Sequence, residues 1–352
     1  MDGDKKTKSK DANRKNSKVI PKQLPNIKEV EENILQVVKG QDEQVRTIVT
    51  ATYRALKLNN MKANVLIMGG SGTGKTEILK QLAKQLNRVY VIEDANEFTQ
   101  EGYHGRSVSD IIKDLIVAAE YDIKEAERGI VIIDEIDKKA ARPTLERDVS
   151  GLGVLNSLLK LVEGKKFRLY DGPEYDPDRD DFYTDNLIIF FAGAFSDMNN
   201  IKKKMKGSQV IGFSHQDNFE DSKIETRQIK QDLIDYGFTD EFVGRIDTIV
   251  QLNELSEEVL ADILKNSRES IFRKYRKELQ KYGIRLRYRQ TIFEDIARKA
   301  KTANTGAREL ANIVNYIFEK ILYEIFSAEK GEYHICILQE GIERDNTNYT
   351  LK

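Results

Sequence analysis

Two short segments carry residues whose types and spacing suit the chemistry of a phosphate chain. Gly69-Gly70-Ser71-Gly72-Thr73-Gly74-Lys75-Thr76 fits the pattern G-x-x-x-x-G-K-[ST]. Glycines admit backbone conformations that aim successive N–H groups inward at phosphate oxygens, and the positive end of a following helix adds to the field. In such a loop Lys75 reaches the β- and γ-phosphates of a nucleotide and Thr76 ligates Mg²⁺. The second segment, Gly129-Ile130-Val131-Ile132-Ile133-Asp134-Glu135, is an apolar run ending in two carboxylates. Asp134 would hold the Mg²⁺ shell, usually through water, and Glu135 would polarise a water for attack on the γ-phosphate. Alone, the first segment is compatible with a plain glycine-rich turn and the second with an ordinary strand end. Together they read as one site for binding and hydrolysing ATP.

The elements that must position these residues follow from the apolar pattern. Asn64–Met68 before the glycine loop is short, branched and apolar, as a buried parallel strand should be, and Thr76 to Leu86 turns helical. Further strands are expected at Val89–Ile92, Gly129–Ile133, Leu187–Ala192 and Asp247–Leu252, alternating with helices. That alternation implies an α/β fold, a parallel sheet sandwiched by helices. Residues 27–58 are helical in pattern, broken at Lys39-Gly40-Gln41. After Leu252 helical spacing dominates to about Phe326, with Ser256 a good N-cap. The expected organisation is a basic disordered tail (1–23), a large ATPase domain (24–252), a small helical domain (253–340) and a C-terminal tail (341–352).

Composition sets the outer limits. The 352 residues are 33% charged and 39% hydrophobic, and 57 Lys+Arg nearly cancel 58 Asp+Glu. No global field argues for nucleic acid or membrane as main partner. The lone Cys336 excludes an intramolecular disulfide and a cysteine-based zinc site. No apolar stretch approaches a membrane span and no signal-peptide core is present, so a cytoplasmic protein is expected. Period-based repeats are absent.

Two arginines stand in suggestive places: Arg245 in Phe242-Val243-Gly244-Arg245 and Arg308 in Thr305-Gly306-Ala307-Arg308. By themselves they read as surface salt-bridge residues. With the two nucleotide segments, however, the chain from about Leu24 to Ile337 resembles the ClpX family of AAA+ protein unfoldases. The resemblance implies that Val37-Val38-Lys39-Gly40-Gln41 contacts adenine through Val37 and Val38. It further implies that Arg308 is the sensor-2 arginine acting on its own subunit's phosphates, and that Arg245 is a finger reaching a neighbour's site in a homohexamer. Gly102-Tyr103-His104-Gly105 resembles the aromatic pore loop that grips unfolded or tagged protein substrates, and Arg147 to Val154, with Val149, the second pore loop. Gly193-Ala194-Phe195 falls at the sensor-1 region without an evident polar residue. Ile211-Gly212-Phe213 stands where members carry the tripeptide that docks on a ClpP-type peptidase; it could instead tuck back on its own domain.

Departures from the family pattern matter as much. The basic tail occupies the place of the family's zinc-binding N-terminal domain. Asp171 to Asp181 is acidic where the family has a basic loop at the pore entrance, so substrate choice does not carry over. His104 replaces the usual aliphatic neighbour of the gripping tyrosine. The expected function is an ATP-dependent unfoldase and translocase feeding a ClpP-type peptidase. The alternatives are a standalone remodeller of protein complexes, a nucleic-acid motor or loader, and a switch that scarcely hydrolyses. Tyrosine and histidine in the pore segment, rather than a Lys/Arg series, speak against nucleic acid, and Glu135 with Arg245 speaks against the switch.

Overall fold

A computed structural model of the chain describes residues 24–58, 61–99, 105–141, 149–169, 176, 181–198, 219–303, 305–329, 331–338 and 349–352. The branched apolar runs become strands β1 (Ala63–Met68), β2 (Tyr90–Asp94) and β3 (Ile130–Asp134), followed by β4 (Lys166–Arg168), β5 (Asp181–Tyr183), β6 (Ile188–Gly193) and β7 (Thr248–Gln251). β4 and β5 form an antiparallel hairpin, while the others make one parallel sheet in the order β2-β3-β6-β1-β7. Every residue of β1 is buried, which is why it reads as a continuous apolar run rather than an alternating one.

Side-chain alternation along the strands divides the packing into two layers. Val65, Ile67, Ile130, Ile132, Ile188 and Phe190 meet α1 (Ile27–Leu35), α2 (Asp42–Lys57) and α3 (Lys75–Gln85). Leu66, Met68, Val131, Ile133, Ile189 and Phe191 meet the other layer. That layer contains α4 (Val108–Ala118), α5 (Ile123–Ala126), α6 (Val149–Val162), α7 (Phe219–Tyr236) and α8 (Asp240–Gly244). The result is the three-layer α/β sandwich that the strand and helix pattern predicts.

A separate core runs from Leu255 to Leu338. It is built from α9 (Glu257–Asn266), α10 (Ile271–Lys281), α11 (Thr291–Thr302) and α12 (Ala307–Ser327). The Ser256 hydroxyl caps α9 by accepting from Val259 N–H at 3.3 Å. The helices are joined by a sheet that the sequence pattern does not reveal, β10-β9-β8, comprising β8 (Arg285–Arg287), β9 (Ile335–Leu338) and β10 (Tyr349–Leu351). The reading of 341–352 as a tail therefore needs correcting at its end, because Tyr349, Thr350 and Leu351 pair antiparallel with Leu338, Ile337 and Cys336. Strands of three residues are too short to display a period of two.

Candidate active site

β1, between β6 and β7, delivers the glycine loop to the sheet's end, where Gly69 N–H donates to Gly193 O at the end of β6 at 3.2 Å. Gly72 and Gly74 have φ of +71° and +103°, the left-handed region that favours glycine. Gly74 is the N-cap of α3 and supplies no side-chain cap, so the helix end presents its first N–H groups to the loop. Lys75 Nζ donates to Gly69 O at 2.6 Å and Gly70 O at 3.0 Å. Burial pulls the Lys75 ammonium below its ordinary pKa, and the Asp134 carboxylate is the largest opposing influence. Across the sheet, Thr76 Oγ1 donates to Asp134 Oδ2 at 2.9 Å. A hydroxyl and a carboxylate brought together at a helix N-terminus are an all-oxygen donor set that fits a hard cation such as Mg²⁺.

Glu135 follows β3 in a left-handed conformation, φ 57° and ψ 30°. For a residue other than glycine that geometry stores strain, and it turns the side chain away from the strand line. Its Oε2 accepts from Asn96 Nδ2 at 2.5 Å. Asn96 lies in the 3₁₀ turn Ala95–Glu97 after β2, whose N-cap Asp94 accepts from Asn96 N–H at 2.8 Å. Sequence reading missed Asn96; the Asp94 cap in Asp-x-Asn is a local signal for the turn, but only the β2–β3 pairing brings it to Glu135. At the neighbouring strand end, Asp137 is buried and its carboxylate accepts from Ala194 N–H at 3.2 Å and Phe195 N–H at 3.4 Å. The segment after β6 thus presents main-chain donors to Asp137. A Cβ on Gly193 would lie 2.7 Å from Asp137 Oδ1.

The cleft is closed by the second body. Arg308 Nη1 lies 3.3 Å from Ser71 Oγ, and Ala307 N–H donates to Gly72 O at 3.1 Å. A Cβ on Gly72 would sit 2.3 Å from Thr305 O, so the two backbones meet where only glycine fits. On the opposite wall Val37 and Val38 are buried, and a Cβ on Gly74 would meet Val38 Cγ1 at 3.6 Å. Val37 O accepts from Ser267 Oγ at 2.7 Å, and Gln36 O from Arg268 N–H at 2.8 Å, tying this wall to the second body as well. Gln41, fully buried, bridges the parts: Nε2 donates to Thr73 O at 3.4 Å and Asn253 O at 2.9 Å, while Oε1 accepts from Asn253 N–H at 2.9 Å.

Residues 60–249 match the family model described as AAA domain (Cdc48 subfamily), and 255–334 match the C-terminal, D2-small domain, of ClpB protein. The ATP-dependent Clp protease ATP-binding subunit ClpX of Bacteroides thetaiotaomicron is 32% identical over 351 residues, covering 94% of this chain and 85% of its own. That of Bacteroides fragilis is 32% identical over 335 residues, with 90% and 81% covered. That of Borrelia duttonii is 33% identical over 334 residues, with 89% and 78% covered. The chain belongs to the ClpX family of AAA+ ATPases. It is a nucleotide-binding ATPase of the ATP-dependent unfoldase type.

Within this ClpX-family chain the sequence-predicted residues divide into two groups. Gly69 to Thr76, Asp134, Glu135, Val37, Val38 and Arg308 surround one cleft. Arg245 does not join them: Asn64 Nδ2 donates to Arg245 O at 3.1 Å, which pins it beside the start of β1. The glycine loop leaves the other end of that strand, roughly 16 Å away at ~3.3 Å per residue. Val149 opens α6, while Tyr103, His104 and Ile211-Gly212-Phe213 lie outside the described residues. Of the acidic segment, Asp176 is exposed, whereas Asp181 is buried in β5 and paired with Lys166 at 3.0 Å. Asp181 therefore belongs to the hairpin and does not add to an acidic pore entrance. Among the described residues no helix is long and apolar enough to cross a membrane.

Proposed function

We propose that the chain works as a ring, in the likeness of a homohexamer, that uses ATP to unfold proteins and thread them into a ClpP-type peptidase. The observation that carries this reading is the split cleft. Gly72 of the large body and Thr305 to Ala307 of the small body are in backbone contact, so a change at the γ-phosphate is felt by both bodies at once. In this reading Gly69 to Thr76 cradle the phosphates, Lys75 compensates charge at the β- and γ-positions, and Val37 and Val38 form the adenine wall. Thr76 and Asp134 would hold Mg²⁺, which supplies charge neutralisation of the phosphate oxygens when bound. Glu135, oriented by Asn96, takes the proton of the attacking water. Arg308 reports the phosphate to the small body.

Arg245 serves a neighbouring subunit. Its placement at the far end of β1 supports this, because its own glycine loop leaves the opposite end of that strand, roughly 16 Å away at ~3.3 Å per residue. Tyr103, with His104 and Val149, is assigned to the substrate pore, and Ile211-Gly212-Phe213 to the peptidase. The names of the relatives, which are ATP-binding subunits of the Clp protease, support that last assignment.

The test is the purified chain with ATP and a ClpP-type peptidase, acting on a folded fluorescent protein that carries an unstructured terminal segment. Degradation that requires ATP and is lost in Glu135→Gln is expected. Unfolding without peptidase binding would make the chain a standalone remodeller, and absence of ATP turnover would end the reading altogether.

A further inference from the structure

One corner of the large body gathers charges that the nucleotide cleft does not use. At the end of α6 the carboxylate of Glu163 lies between two cations. Oε1 accepts from Arg245 Nη2 at 2.9 Å, and Oε2 pairs with Lys165 Nζ at 2.7 Å. A carboxylate at a helix C-terminus faces the negative end of the helix dipole and would be unfavourable alone. Here the hydrogen bond from Lys165, with Arg245 assisting, holds the Glu163 carboxyl below the usual range.

Both partners are fixed at their backbones. Glu163 N–H donates to Leu159 O at 3.0 Å. Gly164 follows with φ +78°, where a Cβ would sit 2.6 Å from Lys62 Nζ, and that ammonium donates to Val162 O at 2.9 Å. On the other side Arg245 N–H donates to Phe242 O at 3.0 Å, and the buried Phe242 ring meets Phe191 of β6 edge-on at 5.0 Å. The arginine side chain itself is 51% exposed against 20% for Glu163, so the bond to Glu163 is what holds it. Glu163 occupies only Nη2, which leaves Nη1 and Nε for a second anion. Lys165 shares the Glu163 charge, so the guanidinium keeps net positive charge to offer.

We propose that Glu163 is a positioning residue for Arg245, fixing the guanidinium in the orientation that meets the neighbouring subunit's γ-phosphate. This rests on Arg245 acting as a finger. A half-exposed arginine without a tether samples many rotamers, and only a fraction of them present two N–H groups to a phosphate. The tether is supplied by the subunit that owns the arginine, so it is in place before the neighbour binds ATP.

The experiment compares steady-state ATP turnover of full-length wild type, Glu163→Gln, Glu163→Asp, Arg245→Ala and the double variant Glu163→Gln/Arg245→Ala. Sedimentation checks ring assembly of each. Loss of the finger is expected to cost on the order of 10³-fold in kcat. Glu163→Gln should lower kcat about tenfold with KM for ATP changed less than about twofold, Glu163→Asp should recover part of the loss, and the double variant should be no worse than Arg245→Ala. Wild-type or raised kcat in Glu163→Gln, a loss in assembly or KM instead of kcat, or additive losses in the double variant would each overturn the inference. If Arg245→Ala itself turns over normally, it is the finger reading that fails. If Arg245→Ala is inactive and Glu163→Gln is not, the finger stands and the role of Glu163 falls.

Discussion

Replacing Gly306 by alanine tests whether the small body completes the nucleotide cleft. Gly306 is the N-cap of α12 with φ 61° and ψ −143°, a region used almost solely by glycine. An added Cβ would lie 2.7 Å from Ser71 O and 3.0 Å from Gly72 O, both backbone atoms of the glycine loop. The backbone strain alone costs about 1–3 kcal/mol. Relief is available by withdrawing the start of α12, which breaks the Ala307–Gly72 hydrogen bond and moves Arg308 away from Ser71. If the closed cleft is the form that binds ATP, that cost lowers affinity between ~5-fold and ~150-fold, at about 1.4 kcal/mol per factor of ten. Gly283→Ala is the matched control: φ is +78° there too, but nothing lies within 4 Å of the added Cβ. It should cost about 1 kcal/mol of stability and leave ATP affinity unchanged. Binding isotherms in a Glu135→Gln background, where ATP persists, together with thermal melts, separate the two effects. Parent-like affinity in Gly306→Ala would refute the claim that the second body contributes to binding.

Asn96→Ala should leave ATP affinity near wild type and reduce turnover by roughly tenfold, because only the orientation of Glu135 is lost; an equal loss of affinity would mark Asn96 as structural. Cys336 is fully buried and burial pushes its thiol up to about 12, so at neutral pH a thiol reagent should label it only as the small body opens. Rapid stoichiometric labelling of the folded protein would contradict that packing, and faster labelling of Gly283→Ala is expected. Phe213→Ala should abolish association with a ClpP-type peptidase in co-sedimentation while sparing ATP turnover, and undiminished association would remove the docking assignment.

The sheet was legible because parallel strands buried on both faces leave uninterrupted branched runs; Asn64–Met68 and Gly129–Ile133 differ from β1 and β3 by a single residue at their ends. Ser256 announced α9 because its cap is local chemistry. The small sheet stayed hidden because Arg285–Arg287 and Tyr349–Leu351 are too short for a period, and because Arg285–Arg287 finds its partner, Ile335–Ile337, only across distant sequence. In the cleft, the glycine loop and the Asp-Glu strand end were readable as contiguous motifs. Asn96 and Gln41 were not, nor, outside the cleft, was Glu163, since each acts through a partner that only the tertiary fold supplies: Glu135, Asn253 and Arg245. Asp181 was misassigned for the same reason, its pairing with Lys166 being a property of the β4–β5 hairpin.

The most direct measurement of the central claim follows the fluorescence of a stably folded fluorescent protein carrying an unstructured terminal segment, mixed with the purified chain and ATP. The account predicts loss of fluorescence with ATP, none with ADP or with Glu135→Gln, and strong slowing by Tyr103→Ala while ATP turnover continues. Sustained ATP turnover with fluorescence unchanged, across acidic, basic and neutral terminal segments at either end of the substrate, would contradict it.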